Sequence, residues 1–334
     1  MNELEGLKMF ADSKTIVVFG EALVDDFISE QVVGGAPFNV ARHLAAFGAA
    51  PMMITRIGSD ANGVTVRAEF ARFGMREEGL QLDAVAPTGR VIVERGDATH
   101  RFIILPDQAY DHIEAGAALA AMSRCAPATL YFGTLAQRAS ASSDALSDLF
   151  AATPARRFLD LNMREGQVTE RCVFASLHHA DVVKVNEDEL RALFNWYTPG
   201  HTQTHTQAHT QALPWPADMA DEHLHAACAT LIGVFGLTGL IVTLGERGAA
   251  YFGADRPPVH AGAGVNISAV DVVDTVGAGD AFSAIFLLGS ALGWPLDTIL
   301  SRANQFAAAI CGIAGAVPAD TAFYEPWMTC WLAD

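Results

Sequence analysis

Scarcity narrows this sequence first. Its 334 residues carry 21 lysines and arginines against 38 aspartates and glutamates, a formal net charge of −17. Such a surface repels nucleic-acid phosphates and anionic lipid headgroups wherever salt does not screen it, so neither nucleic acid nor a membrane is expected as a partner. An anionic ligand would need local dipoles and a few placed cations. Cysteine is sparse too: Cys125, Cys172, Cys228, Cys311 and Cys330 are odd in number and form no C-x-x-C pair. Neither a disulfide framework nor a zinc site is expected, and the thiols read as reduced core residues. Uncharged runs such as Leu231 to Gly245 are too short and too interrupted by glycine to span the ~30 Å of bilayer hydrocarbon. The opening "MNELEGLKMFADSK" has no apolar h-region, so a signal peptide is not expected and a cytoplasmic location is. Two nucleotide signatures are also missing. No G-x-G-x-x-G follows the first strand, which argues against a NAD-dependent dehydrogenase, and no G-x-x-x-x-G-K-[ST] is present.

What is present is a core-forming chain, 51% hydrophobic, in which short apolar runs alternate with helical patterns. That alternation predicts an α/β protein with a largely parallel sheet covered on both faces. Strands are expected at 15–20, 51–58, 128–133, 157–162, 180–186 and 239–245. Between them, Pro37 to Phe47 places Val40, Leu44 and Phe47 on one face and ends at Gly48, as a helix does. Two stretches break the alternation. Val24 to Val33 and Thr88 to Leu105 read as amphipathic strands, the second a hairpin turning at Gly96-Asp97, and together they suggest a small lid sheet. Exposed lid strands could pair across a homodimer, unless charges such as Asp97 and Arg101 blunt their edges. "HTQTHTQAHTQALPWPA" (His201 to Ala217) spaces His201, His205 and His209 every fourth residue. Without apolar residues it offers no helix a face to bury, so it reads as a loop insert over 197–217 and not as a metal site.

"DTVGAGDAFSAIF" (Asp274 to Phe286) follows a β-rich run and leads into a helical apolar stretch. A glycine-rich turn at a helix start points unpaired N–H groups outwards, with the positive end of the helix dipole behind them. Gly277, Ala278 and Gly279 therefore form an anion site. Asp280 within it either caps the helix or takes a proton from an attacking hydroxyl, as general bases in phosphoryl transfer do. A second stretch, "VVGGAPFNVARHLAAFG" (Val32 to Gly48), offers close backbone approach at Gly34 and Gly35 and then Asn39, whose amide can donate and accept to a polyol. Asp25 in "GEALVDDF" follows the first strand, at the edge where open α/β sheets bind ligands.

"GGAPFNVA" with Gly48 and Gly58, and "DTVGAGDAF", resemble the two signature motifs of the ribokinase-like (PfkB) family of carbohydrate kinases, and "GEALVD", "GGAPFN" and "DLNMR" together resemble its fructokinase-like members. The likeness runs from "GEALVD" to "AAAICGIAGA" (Ala307 to Ala316). It implies a three-layer α/β/α sandwich in one domain with a β-sheet lid at about 24–34 and 86–106. It also implies transfer of the γ-phosphate of ATP, with Mg²⁺, to a primary hydroxyl of a sugar. Fructose is expected first; ribose, 2-keto-3-deoxygluconate or a nucleoside are alternatives, as is a catalytically silent sugar-binding protein on the same scaffold.

Carried onto matching positions, the resemblance makes Asp280 the catalytic base and Gly277 to Gly279 the anion hole, with Arg164 near the phosphates or the sugar. Asp25, Gly34, Gly35 and Asn39 match sugar-contacting positions, and Asp160 and Asn162 should line the cleft. "VKVNEDEL" places Asn186 and Glu189 around the water shell of Mg²⁺. "VTLGERGA" sets Thr243, Gly245 and Gly248 along the ATP, and Asn304 flanks the adenine. A monovalent cation, K⁺, would take Asp274 and Thr275 as nearby ligands. Two residues depart from the pattern. Ile285 stands where a small residue is usual, and Phe38 does the same beside the sugar contacts.

Overall fold

The computed structural model describes residues 15–27, 30–95, 100–197, 222–262 and 272–332. The Gly96-Asp97 turn and the histidine-spaced run at 201–217 lie outside them. Five strands begin the described chain or follow its first helices: β1 (Thr15–Phe19), β2 (Leu23–Asp26), β3 (Gln31–Gly34), β4 (Met52–Gly58) and β5 (Leu80–Asp83). They are interleaved with helices α1 (Ala36–Ala46) and α2 (Ala61–Arg72). Next come β6 (Gly89–Arg95), β7 (His100–Ile104), α3 (Ala115–Met122), β8 (Pro127–Phe132), α4 (Ser140–Ala152), β9 (Arg156–Asp160), α5 (Glu170–His179), β10 (Val182–Asn186) and α6 (Glu187–Tyr197). Then follow α7 (Glu222–Phe235), β11 (Gly239–Thr243), β12 (Ala249–Gly253), β13 (Arg256–Ala261), α8 (Ala278–Leu292), α9 (Leu296–Cys311) and α10 (Glu325–Leu332).

Nine of these strands form one sheet in the order β13-β12-β11-β10-β9-β8-β1-β4-β5. From β5 to β11 every pairing is parallel, and β12 and β13 add an antiparallel edge. Successive residues on a strand face opposite sides, and the two cores show it. Val17, Phe19, Leu130, Phe132, Val183 and Val185 pack with α4, α5, α6 and α7. Their neighbours Ile16, Val18, Tyr131, Phe158, Val182 and Ile241 pack with α1, α8, α9 and α10. The result is the expected three-layer sandwich. β4 and β5 continue from one side of β1 and β8 to β11 from the other, so the order reverses at β1 and opens a crevice at the strands' carboxyl ends.

A second sheet runs β3-β2-β6-β7, parallel only between β2 and β6. Here the sequence reading needs a correction. Val24 to Val33 is not one strand but a tight hairpin, closed by Phe27 N–H donating to the Glu30 carbonyl at 2.9 Å, with β2 and β3 antiparallel. A further correction concerns the thiols: all five are unpaired, but only Cys228 is buried and Cys330 is exposed. The two motif departures are core residues. Phe38 is fully buried, stacked on Phe70 at 5.0 Å and beneath the Arg42 guanidinium at 4.9 Å, and Ile285 is fully buried in the helical layer of α8. Neither side chain lines the cavity described next.

Candidate active site

A cavity of about 920 Å³ opens at the carboxyl ends of β1, β9, β10 and β11, with Val91, Phe102 and Ile104 of the small sheet over one end. That is within the size range of small-molecule sites. Its floor is the start of α8. Gly277 is the N-cap, in a left-handed conformation with φ 80°, and a Cβ there would collide with Ala316. Glycine alone fits that turn. The helical ladder begins with Ala281 N–H donating to the Gly277 carbonyl at 2.8 Å, so the N–H groups of Gly279 and Asp280 meet no backbone acceptor among the described residues. They face the cavity end of the helix dipole.

Asp280 is buried, and burial pushes its carboxyl up to about 6. The Asn39 hydrogen bond and the charges of Lys184 and Arg164 work against that rise, and the Asp160 charge adds to it. Asn39 Nδ2 donates to Asp280 Oδ2 at 2.7 Å. The amide is fixed from behind, because Arg42 Nη2 donates to Asn39 Oδ1 at 2.6 Å and to the Val33 carbonyl at 2.8 Å, while Arg42 Nη1 holds Glu69 at 2.8 Å. A chain from α2 through α1 therefore aims one amide at one carboxylate oxygen and leaves the other to the cavity.

A second constellation comes from adjacent strands. Lys184 and Asp160 are register partners across β10 and β9, and Lys184 Nζ donates to both Asp160 oxygens at 2.8 and 2.9 Å. Ser283 and Tyr131 hydroxyls complete the shell of Asp160 at 2.8 and 3.2 Å. Burial opposes the Lys184 charge, but the Asp160 carboxylate outweighs it and keeps the ammonium above its usual range. Lys184 Nζ lies beside Gly279, 3.4 Å from where a Cβ would stand, which puts a paired cation next to the helix start.

Asn186 and Glu189 form a reciprocal cap at the start of α6. The Asn186 amide oxygen accepts from Glu189 N–H, and Glu189 Oε2 from Asn186 N–H, both at 2.9 Å. Glu189 Oε1 accepts from Met163 N–H at 2.7 Å, which ties the loop after β9 to α6. That loop carries Asn162, whose φ of 36° is unusual for a non-glycine residue, and Arg164. Both line the cavity. Burial pushes the Glu21 carboxyl up to about 7, and the charge of Arg164 pulls against the burial-driven rise at Glu21, Asp25 and Asp280 alike. Asp25 is itself pushed to about 6 by burial, against the pull of Arg164 and Arg42.

Among the other expected residues, Gly35 lines the cavity and Gly34 does not; Gly34 packs against the Asp25 carboxylate. Thr243, Gly245, Gly248 and Asn304 line the far end with Val272, Ala308 and Cys311, a partly apolar wall suited to an aromatic base. Asn304 Nδ2 is anchored on the Ala261 carbonyl at 2.9 Å. Thr275 reaches the cavity, whereas Asp274 accepts from Val276 N–H at 3.0 Å and Gly315 N–H at 3.3 Å and orders the loop ahead of α8. Three residues of the site escaped the sequence reading. Lys184 was a charge inside an otherwise apolar strand, Arg42 lay one helical turn beyond Asn39, and Glu21 belonged to the "GEALVD" segment from which only Asp25 was taken.

Comparison with known proteins agrees with this geometry. The profile of the pfkB family carbohydrate kinases matches residues 28–322. Fructokinase-1 of Oryza sativa subsp. japonica is 27% identical over 301 residues, covering 84% of each chain. The bifunctional protein HldE of Bradyrhizobium sp. (strain ORS 278) is 25% identical over 342 residues, 92% of this chain, which spans 62% of that longer protein. A double mutant of fructokinase from Vibrio cholerae O395, solved with fructose, ADP and potassium bound, superposes with a TM-score of 0.69 at 22% identity. It covers 94% of this chain and 98% of that one.

Proposed function

Because this chain belongs to the pfkB family of carbohydrate kinases, phosphotransferases with sugar acceptors, we propose that it phosphorylates a primary hydroxyl of an uncharged sugar, fructose before others, with ATP as donor. The observation that carries the reading is the buried Asp280 carboxylate, hydrogen-bonded by Asn39, at a helix start where the Gly279 and Asp280 N–H groups meet no backbone acceptor among the described residues. Fructokinase relatives support fructose. So does the lining, whose cations among the described residues are Arg164 and the already paired Lys184. A sugar bearing a phosphate would face more carboxylates than cations at the acceptor end.

In the mechanism, Asp25 and Asn39 hold sugar hydroxyls so that the reacting one lies by the free oxygen of Asp280, which takes its proton. The N–H groups of Gly279 and Asp280 receive the charge that spreads over the transferred phosphoryl oxygens, with Lys184 behind them and Arg164 above. Lys184 is held by Asp160 and Asn39 by Arg42, so neither need reorient. Val91, Phe102 and Ile104 give the acceptor end an apolar wall that would help to exclude water once a sugar lies against it. Asn186 and Glu189 would hold the hydration shell of Mg²⁺. Their oxygens already accept one N–H each and retain lone pairs for water, and the ion would supply charge neutralisation across the nucleotide phosphates.

Coupled ADP-release kinetics over fructose, ribose, 2-keto-3-deoxygluconate, a nucleoside and a sugar phosphate test the reading. The expected result is the highest kcat/KM for fructose. A higher value for a phosphorylated or carboxylated sugar overturns the substrate assignment, and tight sugar binding without turnover would favour a sugar-binding protein on the same scaffold.

A further inference from the structure

Glu21 stands two residues after the end of β1 with no role in the chemistry above. It is 5% exposed, lines the acceptor end of the cavity, and its buried Oε2 has no hydrogen-bond partner among the described residues. A buried carboxylate oxygen left unpaired is costly, and native structures seldom keep one without a ligand or water to fill it. Its position is fixed from below: Gly35 packs so closely on it that a Cβ there would lie 2.6 Å from the Glu21 carbonyl oxygen. The groups that act on it come from several elements: the Ala36 N–H at the start of α1, Arg164 on the loop after β9 and Asp280 on α8, with Tyr110, Tyr131 and Arg138 sensing its charge and Asp25 of β2 lining the same cavity.

We propose that Glu21 is a specificity-determining substrate contact, its unpartnered Oε2 accepting a hydrogen bond from a sugar hydroxyl other than the one phosphorylated. This rests on the sugar-kinase reading above. Glu21 and Asp25 then form a pair of acceptors for two hydroxyls of one polyol, with Arg164 offsetting their like charge. An acceptor lacking one of those hydroxyls leaves a buried carboxylate oxygen unpaired, the kind of arrangement that discriminates strongly against deoxy analogues. An acceptor carrying an anionic group meets the Asp25 and Asp280 carboxylates of the same cavity as well as Glu21. Glu21 therefore selects for an uncharged, hydroxyl-rich acceptor.

The experiment is calorimetric titration of fructose, ribose and their single-deoxy analogues into wild-type protein, Glu21→Gln and Glu21→Asp, with steady-state kinetics and a thermal melt for each. Glu21→Gln should weaken binding of the preferred sugar, and raise its KM, by roughly ten- to a hundredfold, the range for a hydrogen bond to a charged group. KM for ATP and kcat should stay within about twofold, and one deoxy analogue should bind wild type and variant alike. If Glu21→Gln does not fold, Glu21→Asp, which keeps the charge but shortens the reach, should show the same selective rise. Equal sugar binding by wild type and a folded variant, or sugar and ATP constants that worsen together, overturns the role of Glu21. Wild-type protein that binds no uncharged sugar overturns the sugar-kinase reading instead, and the inference with it.

Discussion

Replacing Asp280 by asparagine should remove the chemistry while strengthening the fold. Burial lifts the carboxyl from 3.8 to about 6, and at about 1.4 kcal/mol per tenfold change in proton affinity the ionised side chain destabilises the folded protein by roughly 3 kcal/mol at neutral pH. The pH dependence follows from the sign of that change. Below about pH 4 the folded and unfolded chains both hold the proton and nothing is lost. Between 3.8 and about 6 the folded protein keeps a proton that the unfolded chain has released, so stability falls as pH rises, and above about 6 the whole deficit is present. Asp280→Asn has no such group, and its amide oxygen can still accept from Asn39. Melting should therefore occur several degrees higher than in wild type at pH 8, with the gap reduced to about half near pH 5. Over the same series kcat should fall by roughly 10²-fold or more with ATP affinity nearly unchanged, the usual order for a general base. A variant that keeps its activity and melts lower than wild type, by an amount independent of pH, would make Asp280 a helix cap and refute the reasoning.

Three further outcomes follow from the same geometry. In wild type, kcat at saturating sugar should fall as pH drops through about 6, and Asn39→Ala, which deletes the hydrogen bond that holds the Asp280 carboxyl down, should shift that limb to higher pH in a pH–rate profile. Lys184→Met leaves the Asp160 carboxylate buried without its counter-charge, and denaturant unfolding should register a loss of about 3–5 kcal/mol. Glu189→Ala removes half of the α6 cap and frees the Met163 N–H. It should cost about 1 kcal/mol in a melt and raise the Mg²⁺ concentration needed for half-maximal rate.

The parts of this site that were legible in the sequence are those whose chemistry is local. The glycine turn before Asp280 declares an anion site within a few residues, because N–H groups without side chains at a helix start have little else to do. The alternating strand runs declare the sandwich for a similar reason: a central parallel strand must be apolar on both faces. Lys184 violates that rule. Its meaning appears only when β9 brings Asp160 into register beside it, a pairing across 24 residues that no local pattern encodes. Glu21 is similar, since Gly35 comes to lie against its backbone only after a hairpin that read as a single strand. Phe38 illustrates the opposite error. Sequence adjacency to Asn39 suggested a side chain at the sugar, but neighbours on a helix point about 100° apart, and the ring goes to Phe70 in the core.

The central claim, that this chain moves a phosphoryl group from ATP to a primary sugar hydroxyl with Asp280 as base, is tested most directly by phosphorus NMR of the purified protein incubated with MgATP and fructose. The account predicts ADP and a phosphomonoester on a primary carbon in equal amounts, neither appearing with Asp280→Asn. Inorganic phosphate without ester, or an ester formed equally well by the variant, would contradict it.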